Sequence, residues 1–225
     1  MGERLRPRTQ FVIALSISTL ASVGLLVYGA HRDGNWNFLY LVWNLFLAWV
    51  PLLFSFWLLS CLQRKLWSSW EALVATLLWL VFLPNSFYMI SDLIHLQDVP
   101  SANVLYDAVM LMSFVFTSLT LGIASLYLVH QQLRRRIGAW RSGRSIATIL
   151  LLCSFAIYLG RDLRWNSWDI LVNPAGLLFD VSDRFVHPHT YPDMFLTTFT
   201  FWVLLLSIYS LVWRATRLLR ENVRA

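Results

Sequence analysis

The chain has 225 residues, of which 58% are hydrophobic and only 13% charged. A water-soluble domain carries about 25% charged residues, so this composition excludes a soluble globule and indicates a polytopic membrane protein. The net charge of +6 would suit nucleic acid if it were gathered into one patch, but it is dispersed along the chain.

Six runs can cross a bilayer, which takes about 20 mostly apolar residues each: 11–30, 36–62, 70–90, 104–128, 146–160 and 194–212. A basic tail precedes the first. Phe11 to Ala30 is of spanning length and lacks a convincing small-residue cleavage site, so it reads as a retained helix rather than a signal peptide. The second run is interrupted by Asn44 and Pro51. The third continues into a polar stretch, and the fifth is the shortest. With no internal repeat and no flexible linker, residues 1–225 read as a single transmembrane domain.

Basic residues fix the expected orientation. The N-terminal tail, the second-to-third loop, the fourth-to-fifth loop and the C-terminal tail hold 14 of the 18, leaving Arg32, Arg161, Arg164 and Arg184 on the other side. By the positive-inside rule both termini are expected to be cytoplasmic. The basic charge then anchors the chain to anionic headgroups, and nucleic acid drops out as a partner. The lipid bilayer is the expected partner, and the oligomeric state is left open. Twelve Trp and eight Tyr suit the two interfaces. Cys61 and Cys153 lie in apolar runs without metal or redox spacing and read as packing residues.

All nine Asp fall at or near the outer face by this topology, so titratable chemistry concentrates there. In Leu83 to Leu96, Asn85, Tyr88, Asp92 and His95 fall at i, i+3, i+7 and i+10, within roughly 80° of one another on a helix. Pro84 interrupts the backbone ladder just below them. Asn44 and Asn85 are deep enough in their spans to point into the bundle. Asp107 lies about one turn inside the fourth span, where a carboxylate needs a partner or water.

The fifth span ends in Gly160-Arg161-Asp162-Leu163-Arg164-Trp165-Asn166-Ser167-Trp168-Asp169. Continued as a helix, this would put Asp162, Asn166 and Asp169 on one face and Arg161, Arg164, Trp165 and Trp168 on another. The two arginines flanked by tryptophans would anchor at the interface. Arg161 would need Asp92 or Asp107 as its counter-charge. Asn173-Pro174 reads as an N-cap followed by proline at the first helical position. The helix that follows, about 174–186, would lay Leu177, Leu178, Val181 and Phe185 in one apolar stripe, roofing the polar residues from the outer surface. His187-Pro188-His189-Thr190-Tyr191-Pro192-Asp193 could be read as metal ligands. An ordinary polar loop is preferred, because no metal-protease-like spacing backs it, and no metal is assigned.

Three blocks carry a family likeness: Trp43 to Pro51, Phe82 to Leu96 with its Pro84, Asn85, Tyr88, Asp92 and His95, and Gly160 to Asp169. They resemble a family of bacterial multi-pass membrane proteins catalogued as a domain of unknown function, the thirteen-sixty-one family. The resemblance covers most of the chain from Asn37 to the sixth span. It implies a bacterial plasma membrane and supplies no catalytic assignment.

The expected fold is therefore an all-α integral membrane protein, a six-transmembrane-helix bundle with a short amphipathic helix on the outer surface. Its outer half holds a polar pocket. Asp92 and His95 are the expected acid–base pair. Asn44, Asn85, Tyr88, Asp107, Arg161, Asp162, Arg164, Asn166 and Asp169 are the expected lining, with Arg161 and Arg164 facing an anionic group. The expected ligand is an amphiphile or its headgroup at the outer face. A small transporter and a purely structural network are the alternatives, and no cofactor is assigned.

Overall fold

The computed structural model describes residues 7–98, 104–165 and 167–222, and all regular structure among them is helical. The elements in order are α1 (Pro7–Asp33), α2 (Tyr40–Arg64), α3 (Trp70–Phe82), α4 (Asn85–Tyr88), a 3-10 stretch (Met89–Asp98), α5 (Val104–Asp162), α6 (Asp169–Val172), α7 (Pro174–Val186) and α8 (Pro192–Asn222). Five helical stretches are long and apolar enough to cross a membrane: Arg8–Asp33, Asn37–Arg64, Trp70–Gln97, Val104–Asp162 and Pro192–Leu219. Large apolar side chains on them, such as Leu20, Leu77 and Phe116, are exposed. Such a belt is ruinous in water and natural in lipid. The protein is an all-α membrane protein.

The fourth and fifth expected runs both lie in α5, which at 59 residues would measure about 88 Å if straight. It is not straight. Gly138 has φ 79 and ψ 171, a conformation that glycine alone adopts cheaply. A Cβ at Gly122 would touch Phe87, and one at Gly160 would touch the adjacent Tyr88. Those glycines are 38 residues apart, about 57 Å along a continuous helix. The chain therefore folds back at Gly138, and the limbs 104–137 and 139–162 both pack on α4.

Two clusters make the core. One joins Trp79, Leu83 and Phe87 to Leu126, Val129, Ile146, Leu150 and Leu205. The other joins Leu26, Leu41, Leu45 and Leu52 to Met110, Leu111 and Phe114. Hydroxyls tie the helices where oil alone gives no direction. Trp79 Nε1 donates to Ser125 Oγ (2.7 Å), whose hydroxyl donates to the Pro51 carbonyl (3.1 Å). Ser86 Oγ donates to the Ala48 carbonyl (2.9 Å).

The kink expected at Pro84 is a full break: α3 ends at Phe82, and the chain continues as one α-turn and then as 3-10 helix rather than as the single α-helix expected. The expected cap at Asn173 is formed: its side chain accepts from the Gly176 amide (3.1 Å), with Pro174 at the first helical position. The orientation of α7 differs from expectation. Leu177 and Val181 turn inward beside Arg184, whereas Leu178 and Phe185, placed in the same stripe by the sequence reading, are exposed together with Phe179 and Val186. A buried guanidinium, described next, fixes that rotation.

Candidate functional site

Six of the eleven expected site residues line one cavity of about 790 Å³: Asn44, Asn85, Tyr88, Asp92, His95 and Arg164. Tyr40, Trp43, Pro84, Gly160 and Trp165 complete much of its wall. Each side chain is placed by a local feature. In 3-10 geometry residues three apart eclipse one another, so Asp92 and His95 stand on one edge. Ser91 Oγ donates to the Tyr88 carbonyl (2.7 Å) at the junction between α4 and the 3-10 stretch. Gly160 lets the 139–162 limb approach Tyr88; a Cβ there would lie 3.1 Å from the ring.

Asp92 is buried at 5% exposure. It accepts a long hydrogen bond from Asn44 Nδ2 (3.4 Å) and lies within electrostatic reach of His95 and Arg161. The His95 ring meets the Tyr40 ring edge-on, with centroids 5.8 Å apart. Asn85 Nδ2 donates to the Phe82 carbonyl (3.1 Å) and to Ser167 Oγ (2.9 Å). That second bond ties the α4 edge of the cavity to the segment after α5. Arg164 adopts φ 59, an unusual left-handed position for a residue with a side chain. The helix ends at Asp162, and Leu163 and Trp165 both donate backbone N–H to the Leu159 carbonyl (3.2 Å each). The helix does not continue through 160–169 as expected: Arg164 and Trp165 line the cavity because the chain turns, not because it winds on.

The remaining expected residues lie elsewhere. Asp107 is buried near Arg32 and Asp33 at the end of α1, beside Tyr106, whose hydroxyl donates to the Leu25 carbonyl (2.6 Å). Arg161 is exposed. It comes within electrostatic reach of Asp92 and of its neighbour Asp162 without forming an ion pair with Asp92, and Asp107 belongs to the other grouping. Asp162 is exposed near Asp193, and Asp169 opens α6 outside the cavity lining. Asn166 lies outside the described residues.

Sequence reasoning missed the group that holds the cavity's rim. Arg184 is buried at 7% exposure. Its Nε donates to Tyr158 Oη (3.1 Å), one terminal nitrogen donates to the Asp180 carbonyl (2.8 Å), and the guanidinium stacks over Tyr191 at 4.7 Å. Asp180 in turn accepts from Trp165 Nε1 (2.8 Å). This chain joins α7 to the 139–162 limb and to the cavity wall. The signal was the i, i+4 pair Asp180–Arg184, which on a lipid-facing helix needs an inward turn. Next to it, Asp183 accepts from Tyr191 Oη (2.8 Å) and pairs with His187 Nδ1 (2.9 Å). Those two partners hold the Asp183 carboxyl below the usual carboxylate range, and the carboxylate raises the Tyr191 phenol.

Helices of spanning length around a polar, aromatic-walled cavity define a multi-pass membrane protein. A family model described as a protein of unknown function (DUF1361) matches residues 43–208, most of the chain, and the chain belongs to that family. All three blocks that carried the likeness fall in the matched stretch, and their side chains supply much of the cavity wall. Comparison with curated proteins and with solved structures finds no match.

Proposed function

We propose that this protein binds, and through Asp92 and His95 acts on, the headgroup of an amphiphilic or anionic ligand that enters from the outer leaflet of a bacterial plasma membrane. The observation that carries the reading is the convergence of six polar side chains from three separated segments on one cavity with aromatic walls. A headgroup offers both charge and an apolar root, and the wall offers Arg164 for an anion and Tyr40, Trp43 and Trp165 for the root. Asp92 and His95 both line the cavity and interact electrostatically, and in this reading the headgroup bound between them is the partner in proton transfer.

In this reading the chain crosses the membrane six times as one domain of 225 residues, α5 crossing twice, with both termini cytoplasmic and the cavity outside. Asn44, Asn85, Tyr88 and Arg164 contact the ligand. Arg161, Asp162 and Asp169 set the charge around the mouth, and Asp107 supports α1. A site fits better than a transport path. Leu83 and Phe87, next to the cavity-lining Pro84 and Tyr88, are fully buried and packed with Trp79, and that apolar layer counts against a continuous polar path below the cavity.

Asp92→Asn and His95→Gln separate site from scaffold, because amides keep most hydrogen-bonding capacity and lose the charge. Both variants are expected to accumulate normally and to melt within about 1–2 kcal/mol of the parent chain in detergent. Both should fail to restore the phenotype of a deletion strain. Full complementation by Asp92→Asn would overturn the reading. So would failure explained by loss of the protein from the membrane.

A further inference from the structure

The Asp92 cavity is polar at one end only. Three of its walls belong to stretches of spanning length, and on each the lining residue nearest the middle of the bundle is apolar: Leu47 on α2, Val81 on α3 and Ala156 on the 139–162 limb of α5. Asn44 precedes Leu47, Asp92 and His95 follow Val81, and Arg164 follows Ala156. At helical rise Leu47 lies roughly 15 Å inside the spanning stretch Asn37–Arg64, and Ala156 roughly 9 Å inside the end of α5 at Asp162. Three separate elements thus give one gradient, from charge at the mouth to a hydrocarbon-like wall at the inner end. At about 790 Å³ the cavity falls in the upper part of the roughly 300–1,000 Å³ range of sites that enclose whole drug-sized molecules. A phosphate-sized headgroup alone would leave the apolar end unfilled.

The wall also reaches lipid. Trp43 lines the cavity, is half exposed, and stacks at 5.5 Å on Phe46, which is exposed and is not among the described lining residues. Both rings sit in the spanning stretch Asn37–Arg64. Ile170, a further lining residue, is exposed as well. An aromatic ring shared between a cavity and the lipid-facing surface marks a sideways opening, through which a chain passes without crossing water.

We infer that the ligand is a bilayer-resident lipid, and that Leu47, Val81, Ala156 and Leu159 form the subsite for its hydrocarbon chain, reached sideways past Trp43. This rests on the headgroup reading of the same cavity and adds the ligand's source, the membrane rather than the water outside it. A chain moving from lipid to an apolar wall gains little from the hydrophobic effect, since both surroundings are oily, so the subsite acts by shape. Its signatures are discrimination of chain length and a steric response to the volume of the wall.

The test uses the full chain purified in detergent, with bound phosphatidylglycerol counted by native mass spectrometry and folding followed by melting. The parent chain should retain the palmitoyl form. Ala156→Phe fills the apolar end with every polar group kept. It should weaken retention of the palmitoyl form roughly tenfold, the usual effect of one bulky side chain too many, and keep the hexanoyl form. Val81→Phe, filling the same end from α3, should do likewise and decides the matter if Ala156→Phe melts early. Leu152→Phe, exposed on the same limb, should bind like the parent. Undiminished palmitoyl retention in both filled variants, equal loss of both chain lengths, or an equal effect of Leu152→Phe would each overturn the chain subsite. Headgroup recognition is read separately, by offering palmitoyl phosphatidylcholine beside phosphatidylglycerol. No preference between them, with chain-length discrimination intact, would sink the anionic headgroup and leave the chain subsite standing. Retention of neither lipid by the parent would overturn both.

Discussion

Arg184 shows how one buried charge sets the local arrangement. Its nitrogens reach Tyr158, the Asp180 carbonyl and, more loosely at 3.8 Å, the Asp180 carboxylate. Removing the guanidinium leaves Tyr158 without its donor and Asp180 without its nearest cation. Arg184→Ala is therefore expected to cost about 1–3 kcal/mol, less than a fully buried pair would because Asp180 is partly exposed. Tyr158→Phe should cost about 0.5–1.5 kcal/mol. Detergent melting measures both, and the double variant should lose less than the sum because the two share one bond. Asp183 gives a pH prediction. Its folded carboxyl titrates below the usual value, so it stabilises the α7–Tyr191 contact above the unfolded value of about 4. That support disappears as pH falls through the lowered value. Pepsin cleavage between His187 and Tyr191 should rise from roughly pH 5 to pH 2. Asp183→Asn should already be cleaved readily at the upper end of that range, and a flat profile in the parent chain would refute the linkage.

At the scale of elements, three glycines discriminate between backbone freedom and close packing. Gly138→Ala keeps open space around its Cβ but cannot keep φ 79 cheaply, so about 1–3 kcal/mol of pure backbone strain is expected. Gly122→Ala would set a Cβ 2.7 Å from Phe87 and 2.8 Å from Ser86, an overpacking cost of about 1–3 kcal/mol. Gly143→Ala, helical and uncrowded, should be neutral or stabilising by up to about 1 kcal/mol. Thermal melts of the three side by side check the ordering. The sequence made much of this level legible. Hydrophobic runs marked the long apolar helices, Pro84 marked a break in the backbone ladder, and Asn173-Pro174 marked the start of α7. The stripe Asn85, Tyr88, Asp92 and His95 was legible as a set although the helix type was not, because a three-residue spacing survives the change from α to 3-10. What stayed hidden depended on tertiary geometry. The left-handed turn at Arg164 has no local signature, since the residue is not glycine. Asp107 looked like a pocket residue from depth alone, and only the packing of α1 against α5 shows which cations it faces. Leu178 and Phe185 belonged to an apolar stripe by pattern, but the need to bury Arg184 outweighed that pattern.

For the whole molecule, the decisive quantity is which end of the bundle faces the cytoplasm. The Gly138 turn carries Arg134, Arg135, Arg136, Arg141 and Arg144, and the 3-10 stretch that borders the Asp92 cavity lies at the other end. With Cys61 and Cys153 changed to alanine, single cysteines at Gln97 and Trp140, both exposed, should label oppositely with an impermeant thiol reagent. Gln97 is expected to react from outside in intact cells and Trp140 only after lysis. Labelling in the reverse order would invert the proposed orientation and place the headgroup cavity in the cytoplasmic leaflet.

The fold-back at Gly138 also bears on how the chain enters the bilayer during synthesis. The limb 139–162 completes roughly 1–5 s after the limb 104–137, at ordinary rates of elongation. During that interval the earlier limb waits without the later one to pack against. Its hydroxyls are arranged for the wait. Ser113, Thr117, Ser118 and Thr120 each bond a carbonyl of their own helix, at Met110, Ser113, Val115 and Phe116. Ser125 reaches Pro51, on a helix already made. None of these hydroxyls depends on a segment still inside the ribosome, whereas His130 on the same limb must wait for Tyr209 of α8.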